Sequence, residues 1–253
     1  MVLQHPDNLI VFVTITLTKT YSLMKSNMLR SLFAITLVSA TLITFGQGKE
    51  ERDLSSFTGI SLGISGDLYL TQGSPQKVVI QAENNLDKIE TVVRDGVLQI
   101  KTDNWSSKIK GVKIWITMPE VEALTVSGSG NLLAETSIDA DELELKVSGS
   151  GKIEIPALEG DEIEAAISGS GDMILAGTAD EMEIRVSGSG SVFAEGLKVN
   201  ECGIKISGSG SCRIDVTGEL DASISGSGRV TYYGNPQVDA RVSGSGNVKK
   251  GDR

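Results

Sequence analysis

The chain has 253 residues, 29 of them Gly and 4% aromatic, with a formal net charge of −10. Its single histidine is His5, so Ser–His and Cys–His nucleophile pairs and histidine zinc sites have no imidazole to use elsewhere. An acidic chain without a basic cluster cannot neutralise phosphates, which excludes nucleic acid as a partner.

Taken in chain order, residues 1–23 read as an upstream extension, because an export signal begins at Met24. Met24 to Arg30 is basic, Leu32 to Phe45 is apolar, and small residues lead to a charged stretch. That order is a secretory signal peptide spanning 24–46, with cleavage between Gly46 and Gln47. The apolar run has 14 residues, short of the roughly 20 a membrane-spanning helix needs, so no stable membrane insertion is expected after cleavage. Cleavage removes His5 with Lys19, Lys25, Arg30 and Asp7, taking the charge from −10 to −12. The expected destination is the periplasm, the cell surface or the medium.

Residues 47–253 read as a single all-β domain. Its first part, 47–120, is irregular but rich in alternating apolar residues and reads as entry coils or a cap. "ISLGISGDLYLTQGSPQKVVIQAE" (60–83) gives strand, turn, strand, and "DGVLQIKT" and "KIWITMP" give further strands. Two aromatic residues here are candidates for binding: Trp105 in the loop "TDNWSSK", and Trp115, which alternation places opposite Ile114 and Ile116. A neighbouring segment covering either ring is the competing expectation.

From 121 to 248 one block dominates. Ser-Gly-Ser-Gly begins at Ser127, Ser148, Ser168, Ser187, Ser207, Ser225 and Ser243, at intervals of 18 to 21 residues. Gly/Ser runs are usually flexible, but here apolar columns flank each copy. The residue before the block is Val126, Val147, Ile167, Val186, Ile206, Ile224 or Val242; beyond it come Leu132, Ile153, Met173, Val192, Cys212, Val230 and Val248. These positions share one parity with the glycines, so one extended face turns inward through every copy. A fixed period near 20 with one face buried predicts a parallel β-helix, whose stacked coils bury a continuous core. The alternative, an antiparallel meander with each block at a hairpin tip, leaves its apolar face uncovered.

Outside, an acidic column Glu144, Glu164, Glu183, Asp221, Asp239 runs beside Lys146, Arg185, Lys205 and Arg241. Basic neighbours offset the repulsion of stacked carboxylates, giving a solvated charge ladder. The residue after each block varies among Asn, Lys, Asp, Ser and Arg, so the repeated Asp of a calcium-binding coil is missing and neither metal nor cofactor is expected. The acids follow the repeat instead of clustering at one coil, so no catalytic carboxylate pair is expected. Near the last coils Tyr232 falls on the inward parity and Tyr233 is a further binding candidate. Cys202 and Cys212 flank one block at inward positions. Export allows a bridge between them, but a bridge needs Cα atoms within about 7 Å, whereas facing sheets sit nearer 10 Å apart. Two buried free thiols are the favoured alternative.

"FTGISLGISGDLYLTQG" (57–73), "VVIQAENNLDKIETVVRDGVLQIKT" (78–102), "ITMPEVEALTVSGSG" (116–130) and the serial blocks together resemble the head GIN domain family of auto-transporter adhesins. The resemblance implies a right-handed parallel β-helix at the bacterial surface or in the periplasm. The expected function is therefore an exported, non-catalytic, adhesin-like module of the cell envelope that recognises an extracellular glycan or protein. A structural or stress-response envelope component is the alternative, and a polysaccharide-acting β-helix enzyme the least favoured.

Overall fold

The computed structural model describes residues 48–102 and 109–252. The extension 1–23, the signal peptide 24–46 and Trp105 lie outside the described residues. Among the described residues the strand-forming, alternating segments become strands, and the one helical element is a three-residue 3-10 turn, Leu86–Lys88.

The chain opens with β1 (Lys49–Arg52), β2 (Gly59–Leu62), β3 (Asp67–Gln72), β4 (Lys77–Gln81), β5 (Ile89–Arg94) and β6 (Val97–Thr102). β7 (Lys113–Met118), β8 (Ala123–Val126) and β9 (Asn131–Ala134) follow. Then come the long rungs β10 (Ile138–Gly149), β11 (Lys152–Gly169), β12 (Asp172–Gly188), β13 (Ser191–Gly208) and β14 (Ser211–Gly226). β15 (Arg229–Gly234), β16 (Gln237–Gly244) and β17 (Asn247–Lys250) finish the series.

Pairing between successive coils is parallel. Ser148 stands opposite Ser168, Ser168 opposite Ser187, and Ser187 opposite Ser207. That register rules out the meander and makes the chain a parallel β-solenoid. Two walls enclose the core. The front wall stacks β7, β3 and β9, then the first halves of β11 to β14, then β15 and β17. The back wall stacks β6, β2, β8 and β10, then the second halves of β11 to β14, then β16.

The columns read from the sequence are the core. Leu124, Leu145, Ala165, Ile184, Ile204 and Ala222 stack on the back wall; Leu132, Ile153, Met173, Val192 and Cys212 stack on the front, and all are buried. Ordering each rung costs conformational entropy that its own residues cannot offset, so burial arises only between neighbouring rungs.

Ser-Gly-Ser-Gly is the corner between the walls, and there the unbroken inward parity expected for both glycines needs correction. The second Gly is buried from Gly130 through Gly228, as at Gly151 and Gly171, and half-buried at Gly246 in the last block. The first is half-buried from Gly128 through Gly226 and exposed at Gly244, with φ between +119° and +129° from Gly149 through Gly244, a backbone state favouring glycine. The chain swings through the corner at the first Gly and re-enters the core at the second.

The entry region is a cap with its own chemistry. β4 pairs antiparallel with β7, and β1 antiparallel with β4, ending the front wall. β5 and β6 form a hairpin whose turn, Asp95-Gly96, has positive φ at both residues, the type I′ pattern that suits a two-residue connection.

Candidate functional site

Alternation in the front wall sends every second residue outward, and in-register stacking lines these residues up. Trp115 on β7 stands opposite Tyr69 on β3, Tyr69 opposite Leu133 on β9, and Leu133 opposite Glu154 on β11. The row continues through Ile174 on β12 and Phe193 on β13 to Arg213 on β14. Seven rungs at about 4.8 Å make a strip about 29 Å long, parallel to the solenoid axis. Ile174 is 36% exposed, and Trp115, Tyr69, Leu133 and Phe193 are half-buried.

Ring contacts fix the geometry of the strip. Trp115 and Tyr69 stack with centroids 5.9 Å apart and planes 19° apart, an offset arrangement that aromatic pairs favour. The Lys49 ammonium lies 4.5 Å from the centroid of Trp115, and the Arg213 guanidinium 5.3 Å from that of Phe193. Both cations use the negative ring face. At mid-strip Lys152 holds Glu154 at 2.7 Å. One column away runs a polar series in which Asn131 donates to Asp67 at 2.8 Å and Ser211 to Ser191 at 3.1 Å. The front wall thus offers a largely apolar row, interrupted at Glu154, beside a row of hydrogen-bonding groups.

The structure gathers only part of the residues singled out from sequence. Trp115 is in the strip, partly covered by Lys49. Tyr233 is not: it stands opposite buried Asp215 beside a hollow of about 540 Å³ that Lys198, Thr217, Asn235 and Lys250 also line. Tyr232 turns inward and is half-buried against the core. Tyr69, Leu133, Ile174, Phe193 and Arg213 were not singled out. The signal was present: all but Tyr69 are the sixth residue after the first Ser of a block. Tyr69 holds the same place after Gly63-Ile64-Ser65-Gly66, a degenerate corner.

The back wall has a different character. Glu144, Glu164 and Glu183 stack in register, as do Asp221 and Asp239. Lys146 pairs with Glu144, Arg185 with Glu164 at 3.5 Å and Glu183 at 3.3 Å, and Arg241 with Asp239 at 2.6 Å. Along one edge, Glu120, Glu122, Asp139, Glu142 and Glu162 line an acidic concavity of about 890 Å³. Gln72 secures its lip: its amide donates to the Pro119 and Asp139 carbonyls, and its oxygen accepts from the Asp139 N–H. Among the described residues no group of three or more His, Cys, Asp or Glu is placed to hold a metal.

Cys202 and Cys212 are buried free thiols. Burial, with a smaller push from Glu183, raises the Cys202 thiol to about 12. Burial raises Cys212 well above the usual range, with smaller contributions from Cys202 and Glu195. Neither is a thiolate nucleophile at neutral pH.

No helix among the described residues is long and apolar enough to cross a membrane. Residues 56–236 match the family described as "Putative auto-transporter adhesin, head GIN domain", and the chain belongs to that family. It is similar to the crystal structure of a "putative adhesin" from Bacteroides fragilis, with 26% identity and TM-score 0.75, covering 80% of this chain and 95% of that one. A "putative adhesin" from Parabacteroides merdae gives 25% identity and TM-score 0.66 over 81% and 96% of the two chains. A Parabacteroides distasonis protein described as a "putative lipid binding protein", at 24% identity and TM-score 0.66 over 81% and 96%, shares the fold. No curated protein matches the chain.

Proposed function

We propose that this member of the head GIN domain family is an exported, non-catalytic, adhesin-like module that binds an extended extracellular glycan along the front wall. The observation that carries the reading is the outward row Trp115–Tyr69–Leu133 and, beyond Glu154, Ile174–Phe193. Rings and aliphatic groups can stack on the apolar faces of sugars while the adjacent polar column takes their hydroxyls. The back wall, with paired charges and serines, lacks such a row. The similarity to adhesins and the basic–apolar–small order of residues 24–46 support display outside the cytoplasm.

A glycan and matrix-protein array tests the assignment. The expected result is binding to a subset of glycans, weakened about tenfold or more by Trp115→Ala, Tyr69→Ala or Phe193→Ala and unaffected by Arg185→Ala on the back wall. Turnover of a polysaccharide without stable binding would replace the module with an enzyme. Binding that ignores all three aromatic variants would move the site elsewhere.

A further inference from the structure

The back wall ends in an edge the fold does not close. β16 pairs with β14 on one side, and among the described residues no strand pairs with its other side. Its inward column Val238, Ala240, Val242 continues Leu220, Ala222, Ile224. The earlier three are buried, yet Val238 is 37% and Val242 42% exposed. One more rung would bury them. An open edge with apolar inward residues is a template for a further strand.

We infer that the added rung is β16 of a second copy, paired antiparallel about Ala240 in a two-fold, end-to-end dimer. The strand is complementary to itself in that register. Val238 faces Val242 of the second copy and Asp239 faces Arg241, and the two-fold repeats both pairs. In one protomer Asp239 and Arg241 pair with each other at 2.6 Å, both exposed, so they are free to exchange partners. A head-to-tail stack lacks this match. At the opposite end the back wall finishes in β5, already paired antiparallel with β6. The β5 sequence, IETVVR, does not repeat the Val238–Ala240–Val242 alternation, and a two-fold joint uses the β16 edge of each copy once. The dimer therefore closes instead of growing into a filament. Each protomer's front wall runs away from the joint, giving a rod with two outward strips.

Sedimentation of the purified protein across a concentration series tests this. The expected result is a monomer–dimer equilibrium that weakens with added salt. Val242→Lys should abolish the dimer while the thermal melt stays cooperative. Asp239→Arg or Arg241→Asp alone should each weaken it about tenfold or more, by setting like charges opposite one another twice. The double swap Asp239→Arg/Arg241→Asp should restore it, because the antiparallel register regenerates both pairs. A monomer at every concentration, a dimer indifferent to Val242→Lys, or a double swap as weak as the singles would each overturn the proposal.

Discussion

A Cβ placed on Gly169 would stand 2.5 Å from the carbonyl oxygen of Gly149, one coil below. With φ at +128°, any L residue there is also strained. Gly171 has an ordinary backbone, but its Cβ would meet the Gly151 oxygen and the Val147 side chain of the coil below, in the core. Alanine at either position should destabilise by roughly 2–4 kcal/mol, for different reasons: strain and backbone collision at the first, overpacking at the second. Exposed Ser170→Ala should change stability by less than about 0.5 kcal/mol. Urea titrations of the three variants compare them directly, and equal effects would contradict the corner geometry.

The two buried thiols should make stability fall at high pH. A neutral thiol whose pKa is raised by folding binds its proton more tightly in the native state, so its contribution is complete below the unfolded value, about 8.5. It is lost progressively as pH rises from there toward the folded value of about 12 for Cys202. Each such thiol should cost about 1.4 kcal/mol per pH unit in that window. Comparing urea melts of wild type and Cys202→Ala/Cys212→Val at pH 7 and 10 should show a smaller decline in the variant. Alkylation should be negligible in the native protein at pH 8 and reach both thiols on unfolding.

Lys49 shields the Trp115 ring from solvent on one face. In a Trp105→Phe background, Lys49→Ala should raise acrylamide quenching of Trp115 and lower stability by roughly 0.5–1 kcal/mol. If quenching does not change, the ammonium is not the cover. The same variant should strengthen glycan binding, since the open face becomes available for stacking.

Arg185 sits between carboxylates of its own coil and the one below, with both partners substantially exposed. Arg185→Ala should cost less than about 1 kcal/mol, and less still at high salt. Arg185→Glu should cost more, by adding a like charge to an acidic column. Thermal melts at low and high salt separate these cases.

Export is checked at the amino terminus. Mass spectrometry of the native protein should find it beginning near Gln47; retention of residues 24–46 would contradict the signal reading.

The solenoid was legible because a corner needing two glycines per coil repeats the same four letters, and register follows from aligning them. The core columns Val147, Ile167, Val186 and Ile206 came with it. The front strip was less legible. Its members differ in type from coil to coil, and Tyr69 and Trp115 belong to entry strands whose corner, Gly63-Ile64-Ser65-Gly66, departs from the repeat. Only the pairing of β3 with β7 and β9 joins those aromatics to Leu133. The antiparallel cap was hidden for a similar reason: a four-residue charged strand such as β1 carries no apolar period, and β4 alone does not show its direction. Asp95-Gly96 was the one local hint of a hairpin.

The two edges of the solenoid differ in what they tolerate. Every Ser-Gly-Ser-Gly corner is held in strict step with the one below, while register shifts occur away from it, between Ile155 and Leu158, Ile174 and Ala176, Ala194 and Lys198, and Val199 and Glu201. Coil length is therefore adjusted away from the corner. Extra residues there lengthen a loop without displacing either wall, as the small entropic cost of longer surface loops allows. That seam is where lineages can diverge and where a foreign peptide could be displayed, repeatedly and at a fixed pitch, without disturbing the corner opposite.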